Sequence, residues 1–244
     1  MCAVACVTVR AIANTDVIDT GVRVSHTEFE GRALPGYSTE CRTGSESSCA
    51  NNGGLWAYQG VIDDAVNSAI AANSEQVSSC SAHGTHCAGT VAGKTYGVAK
   101  GASIIAVQGL SCEGSGSTAG VIDAIQWSVR DAQSRGVTHR AVISMSLGGG
   151  ASASEDRAIA AAHEAGLVVV VAAGNEQANA CGYSPARAPE AITVGSTTSS
   201  DEMSYFSNWG RCVDVFAPGS SVRSASSSGD TATATFSGTS SERC

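Results

Sequence analysis

The sequence predicts a three-layer α/β domain, with a mostly parallel central sheet and helices on both faces. Two observations carry that reading. Short apolar runs alternate with stretches of helical periodicity along most of the 244 residues, the pattern of βαβ units whose strands are buried on both sides. The composition agrees: 43% of residues are hydrophobic, 15% are charged and 28 are glycine. That is enough apolar mass for a sizeable core, and enough small residues for close helix–sheet packing. Residues 1–244 read as a single doubly wound domain with an insertion at about 36–82.

The elements follow in order. Val17-Ile18 closes a first strand that ends at Asp19, where Thr20-Gly21 turns the chain. Residues 36 to 82 break the alternation: they are rich in Ser, Gly and Asn, carry Cys41, Cys49 and Cys80, and enclose a short helical segment from Val61 to Ala72. His83 opens a helix of small residues, Gly84, Thr85, Ala88 and Gly89. A strand is expected over Ser103 to Gln108. From Ala119 to Arg135, Val121, Ile122, Ile125, Val129 and Ala132 recur at helical spacing. Strands are expected again over Ala141 to Leu147, Leu167 to Ala173 and Ala191 to Gly195. Between the first two, Ser154 to Ala165 reads as a helix capped by Ser154, with acids in its first turn. The Ser/Thr-rich stretch from Ser220 to Thr235 reads as a surface strand and loop.

Charge and cysteines bound the setting. Fourteen Lys and Arg against 22 Asp and Glu give a formal charge of −8, which argues against nucleic acid or an anionic membrane as partner. No run of 18 apolar residues occurs, so no membrane span is expected. Ten cysteines, several in Ser/Gly/Asn-rich loops, point to disulfides and a secreted, oxidising environment. Met1 to Val7 lacks the basic start of an export signal, so the N-terminus reads as incomplete.

Four short strings carry chemistry. Asp19 sits in Ile18-Asp19-Thr20-Gly21, His83 in His83-Gly84-Thr85-His86-Cys87-Ala88-Gly89, and Ser240 in Ser237-Gly238-Thr239-Ser240. A serine hydroxyl attacks a carbonyl well only when a base takes its proton, and an imidazole is suited to that task near neutral pH. A carboxylate then fixes the imidazole tautomer and stabilises the imidazolium. The fourth string, Ala172-Ala173-Gly174-Asn175, ends an apolar strand with an amide that can donate to a developing oxyanion. The chain order Asp, His, Ser is one of three known for this constellation.

With these strings in place, the chain resembles the subtilisin-like serine proteases, and among them the proteinase K and aqualysin branch. The likeness continues through Glu28 to Ala33, Tyr96 to Lys100, Gly114 to Thr118, Ser144 to Gly150, Tyr183 to Ala186, Phe206 to Gly210 and Phe216 to Gly219. It implies a serine endopeptidase working through an acyl-enzyme, with Asp19, His83 and Ser240 as the triad and Asn175 in the oxyanion hole. It implies a peptide substrate bound as an added strand between Gly114-Ser115-Gly116 and Ser146-Leu147-Gly148. Ala172, Ala173 and Gly174 would wall the primary side-chain pocket. It also implies disulfides Cys80–Cys112 and Cys181–Cys212, and a structural calcium ion near Pro189, Ala191 and Asp214, with no cofactor for catalysis. A pairing of Cys41 with Cys49 is suggested by proximity alone. A monomer acting on protein or peptide substrates is expected, without a prodomain in this chain.

The departures matter too. The family's serine is normally followed by Met-Ala-Thr-Pro-His-Val, opening a long buried helix, whereas Ser241-Glu242-Arg243-Cys244 follows here. The sequence therefore reads as a copy incomplete at both ends. The alternative function is a catalytically inactive homologue or fragment that only binds peptides. Ala82 replaces a glycine before the histidine, and Asp16 stands where a strand residue is normally apolar. Cys80-x2-His83-x2-His86-Cys87 has zinc-ligand residue types, but adjacent His86 and Cys87 on one helix point to different faces. His26, His139 and His163 are expected at the surface, and Cys87 as a buried filler beside His83.

Overall fold

The computed structural model describes residues 14–39 and 81–240. In chain order these form β1 (Asn14–Asp19), β2 (Ala33–Ser38), α1 (Ala82–Ala92), β3 (Ser103–Gln108), α2 (Thr118–Ser134), β4 (Ala141–Met145) and β5 (Gly149–Gly150). They continue with α3 (Ala153–Glu164), β6 (Val168–Ala172), β7 (Tyr183–Ser184), β8 (Ile192–Thr197), β9 (Val215–Pro218), β10 (Val222–Ala225) and β11 (Thr233–Phe236).

Seven strands make one sheet in the order β2-β3-β1-β4-β6-β8-β9, and every pairing in it is parallel. Ile18 lies opposite both Val107 and Met145. The chain leaves β1 toward β3 on one side and returns to β4 on the other, so Asp19 ends the strand at which the winding reverses. Open α/β sheets place their sites at such a crevice, beyond the carboxyl ends of the strands.

Alternation along the strands divides the apolar residues between two cores. Ile18, Ile105, Val107, Ile143, Met145, Val169 and Val171 face α2 and α3, meeting Val121, Ala124, Ile125, Ile159 and Ala162. Val17 and Ile104 face the other way, toward Cys87, Ala88 and Ala92 of α1 and toward Phe29. This is the expected three-layer arrangement. On the α1 side of β4 and β6, Val142, Ser144, Val170 and Ala172 are only half-buried and Val168 is exposed.

Several elements depart from the sequence reading. The strand β2 overlaps the start of the expected insertion; Pro35 and Gly36 hid it, and its register with β3 shifts between Pro35 and Tyr37. The cap of α3 is Ser152, not Ser154, because Ser152 Oγ accepts from Glu155 N. Residues 222–236 form a β10–β11 hairpin with Val222, Ser224 and Ala225 buried, rather than a loose surface strand. His26 is buried as well. Its Nδ1 accepts from Glu28 N at 3.1 Å, so Nε2 carries the proton and donates to Ala232 O at 2.8 Å. His139 and His163 are exposed. The Val61–Ala72 helix and Cys2, Cys6, Cys41, Cys49, Cys80 and Cys244 lie outside the described residues.

Asp16 sits inside the sheet on the α2 side. It is fully buried, neither carboxylate oxygen has a hydrogen-bond partner, and Arg135 Nη2 stands 3.9 Å away. Burial, reinforced by the Asp131 charge and opposed by Arg135, pushes its pKa up to about 7.

Candidate active site

The carboxylate of Asp19 is completely buried and is aimed by its own strand end: Thr20 N donates to Asp19 Oδ1 at 2.7 Å. The first turn of α1 brings His83 against it, with Ser81 Oγ capping the helix through His83 N. The imidazole Nδ1 lies 2.8 and 2.9 Å from the two Asp19 oxygens. Donation from Nδ1 leaves Nε2 free to accept a proton. Gly84 permits this approach, since a methyl group there would fall 2.2 Å from Gly21 O.

Cys87, one turn along α1, is a buried free thiol with Sγ 3.9 Å from His83 Nδ1. Negative charge on the Cys87 sulfur, were the thiol ionised, and the Asp19 carboxylate would both raise the pKa of His83 against the opposing effect of burial. Burial and the Asp19 charge push the Cys87 thiol up in turn. A thiol held neutral carries no charge to pair with an imidazolium, so Asp19 is the counter-ion.

Ser240 comes from the opposite end of the described chain. The β10–β11 hairpin delivers it, and α1 holds that hairpin directly: His86 Nε2 bonds Val222 O at 3.0 Å, Ser224 Oγ donates to His86 O at 2.9 Å, and the His86 ring packs on Phe236 with centroids 4.6 Å apart. The turn of the hairpin is tied to the loop after β1, where Arg23, Ser25 and Thr27 all bond Asp230. At the end, Ser240 O accepts from Cys87 Sγ at 3.2 Å and from Ser146 Oγ at 3.3 Å.

Asn175 extends from the carboxyl end of β6. Its Oδ1 accepts from Thr239 N at 2.8 Å and Thr239 Oγ1 at 3.0 Å, which directs Nδ2 the other way. A methyl group placed on Gly238 would sit 3.5 Å from Ser240 Oγ and 3.6 Å from both Asn175 Nδ2 and Ser240 N. The Ser240 hydroxyl, the Asn175 amide nitrogen and the Ser240 backbone nitrogen therefore lie around one point. Among the described residues no hydrogen bond links Ser240 Oγ to His83.

A cleft of about 410 Å³ adjoins His83 and is lined by Gly114, Ser115 and Gly116 on one side and Ser146, Leu147 and Gly148 on the other. Behind Ser240, Ala172 contributes to a smaller cavity of about 50 Å³ with Cys87, Val91 and Val170. Ala173 is buried, and Gly174 is half-buried with φ of +102°.

The model of the subtilase family, Peptidase S8, matches residues 15–241. The chain is a subtilase. It is 46% identical over 224 residues to an extracellular serine proteinase of Thermus sp. (strain Rt41A), covering 92% of this chain and 46% of that protein. A cuticle-degrading serine protease of Arthrobotrys oligospora is 45% identical over 92% of this chain and 47% of its own length. The chain thus spans about half the length of these curated relatives. The crystal structure of a cold-adapted subtilisin-like serine proteinase superposes with a TM-score of 0.74 at 43% identity, over 94% of this chain and 70% of that one. No described helix of this subtilase is long and apolar enough to cross a membrane.

Cys181 and Cys212 are joined by a disulfide, their Cα atoms 5.4 Å apart. Cys112 is also disulfide-bonded, while Cys80, its expected partner, lies outside the described residues. Of the zinc-like set, His83 and Cys87 lie together with Sγ 3.9 Å from Nδ1, but the His86 ring turns away to bond Val222 O, and Cys80 lies outside the described residues. Asp214 Oδ2 accepts from Thr193 N at 2.8 Å, leaving Oδ1 for another ligand; Pro189 is exposed and Ala191 buried.

Sequence reasoning passed over one organiser of this subtilase's site. Asn208, fully buried, accepts from Glu176 N and Ala178 N and donates to Ala173 O and Glu176 Oε2. It thereby clamps both flanks of Gly174-Asn175. The string Phe206-Ser207-Asn208-Trp209-Gly210 marked it only as part of the family likeness.

Proposed function

We propose that this subtilase is a secreted serine endopeptidase cutting peptide bonds through an acyl-enzyme. The observation that carries the reading is the His83 imidazole held by both oxygens of a buried carboxylate, beside a groove whose Ser146 bonds the Ser240 carbonyl. His83 Nε2 removes the Ser240 hydroxyl proton as Oγ attacks the scissile carbonyl. Asn175 Nδ2 and the Ser240 N–H receive the oxyanion. His83 then gives its proton to the departing amine, and water attacks the ester in a second, equivalent step. The substrate lies extended between Gly114–Gly116 and Ser146–Gly148, with its primary side chain walled by Ala172, Ala173 and Gly174. Secretion is supported by the disulfide and by the extracellular proteinase among the relatives.

A structural calcium ion, held by Asp214 and the backbone carbonyls of Pro189 and Ala191, is part of the same proposal, supported by the Asp214 oxygen that Thr193 N does not use. It would brace the loop before β9 and take no part in the reaction. A thermal melt that rises in millimolar calcium and falls in chelator supports the site; a melt unchanged between the two removes it.

The absence of a Ser240–His83 hydrogen bond favours a second reading, a homologue that binds peptides without cleaving them. A fluorophosphonate probe separates the two. Labelling of the folded chain that vanishes in Ser240→Ala supports the protease, whereas a folded chain that never labels supports the binder.

A further inference from the structure

The substrate groove contains a charge that the catalytic residues do not use. Glu155 lies in the first turn of α3 and lines the same 410 Å³ cleft as Leu110, Val121 and Leu147. It is 5% exposed, and its Oε1 has no hydrogen-bond partner. Among the described residues no Lys or Arg forms an ion pair with it.

Its isolation has a local cause. Ser152-x-x-Glu155 has the spacing of a capping box, in which the glutamate would reach back to the N–H of the cap residue. Only half of that box is made: Ser152 Oγ accepts from Glu155 N, but Ser152 N donates to Ser184 Oγ at 2.9 Å. The neighbouring acid does not share the problem. Asp156 is paired with Arg187 at 2.7 Å and accepts from Ser184 Oγ, so the nearby cation is already engaged. Burial, together with the Asp156 charge, pushes the Glu155 pKa up to about 6, which still leaves the carboxylate mainly ionised at neutral pH. A buried, unpaired charge is costly. The N-terminus of α3 offsets part of that cost, and a ligand cation would offset more.

The cleft has the shape for such a cation. Leu110, Val121 and Leu147 offer apolar walls for a methylene stem, the glycines of both flanking segments leave room, and the carboxylate can meet a charged head. Neither Ala173 nor Gly174 lines this cleft, so its occupant is a different side chain from the one in the primary pocket.

We infer that Glu155 makes this groove selective for a lysine or arginine side chain in the bound peptide, at a position other than that next to the scissile bond. The inference rests on the reading of the groove as a peptide site, but not on catalysis. Binding of fluorescein-labelled alanine hexapeptides, carrying Lys or norleucine at each position in turn, to the full-length Ser240→Ala chain tests it by anisotropy. One position is expected at which Lys binds at least about tenfold tighter than norleucine. Glu155→Gln is expected to erase that difference and Glu155→Leu to reverse it, both checked for folding by their thermal melts. Equal binding of Lys and norleucine at every position overturns the inference, as does a Lys preference that survives in both variants. A preference retained by a chain that never takes up fluorophosphonate supports the inference and sinks the catalytic reading. Labelling without any Glu155-dependent preference does the reverse.

Discussion

Replacing Asp16 by valine is expected to stabilise the fold, and to do so more as the pH rises. Asp16 is buried without a hydrogen bond to either oxygen, and its pKa of about 7 stands against an ordinary 3.8. A carboxyl that holds its proton more tightly in the native state than in the unfolded chain makes stability fall as the pH rises between those values. Below 3.8 both states are protonated and the effect vanishes; above 7 it is complete. At 1.36 kcal/mol for each tenfold difference in proton affinity, the interval corresponds to roughly 4 kcal/mol. Valine also suits a strand buried on both faces, and Arg135 keeps its pair with Asp131. We expect a gain of about 2–4 kcal/mol at pH 8 that shrinks to under about 2 kcal/mol at pH 5, read from urea midpoints of wild type and variant across that range. A difference that stays flat with pH, or a valine variant less stable at pH 8, would refute the reasoning.

Removing both Cys181 and Cys212 releases a loop with a sequence separation of 31, and should lower stability by about 3–4 kcal/mol in the same urea titration. Gly174→Ala places a methyl 2.3 Å from Asn208 Nδ2 at a φ of +102°; fluorophosphonate labelling should slow sharply while the sheet stays folded by circular dichroism. Asn175→Ala should cut turnover of a peptide anilide by about 10²–10³-fold, the size found in subtilisin itself, a member of this family. Asp19→Asn should cost roughly 10⁴-fold through the wrong imidazole tautomer, with the thermal melt reporting that the chain still folds.

What the sequence made legible was local. Asp19, His83 and Asn175 each sit at or just beyond the end of a strand or the start of a helix within a short string, and β3, β4 and β6 are mostly apolar runs between turn signals. What it concealed depends on partners far along the chain. His26 looked like a surface residue because nothing near it hints at Ala232, 206 residues away. The unpaired state of Glu155 needs Ser184, 32 residues from Ser152, to take the N–H that a capping box would use. The strand β2 was masked by its own proline and glycine, which an edge position tolerates. Asp16 was visible as an anomaly, but the size of its cost required the packing of α2 over it.

The mooring of the β10–β11 hairpin also sets an order of events. Arg23, Ser25, Thr27 and His26 reach partners 203 to 207 residues later, and such distant contacts form slowly because the intervening chain must be organised first. The acid–imidazole pair, separated by 64 residues, can meet much earlier during synthesis. The hairpin that carries Ser240 is expected to dock later, on the His86 ring of α1. A nascent chain is therefore expected to hold the Asp19–His83 pair before the β10–β11 hairpin brings Ser240 into place.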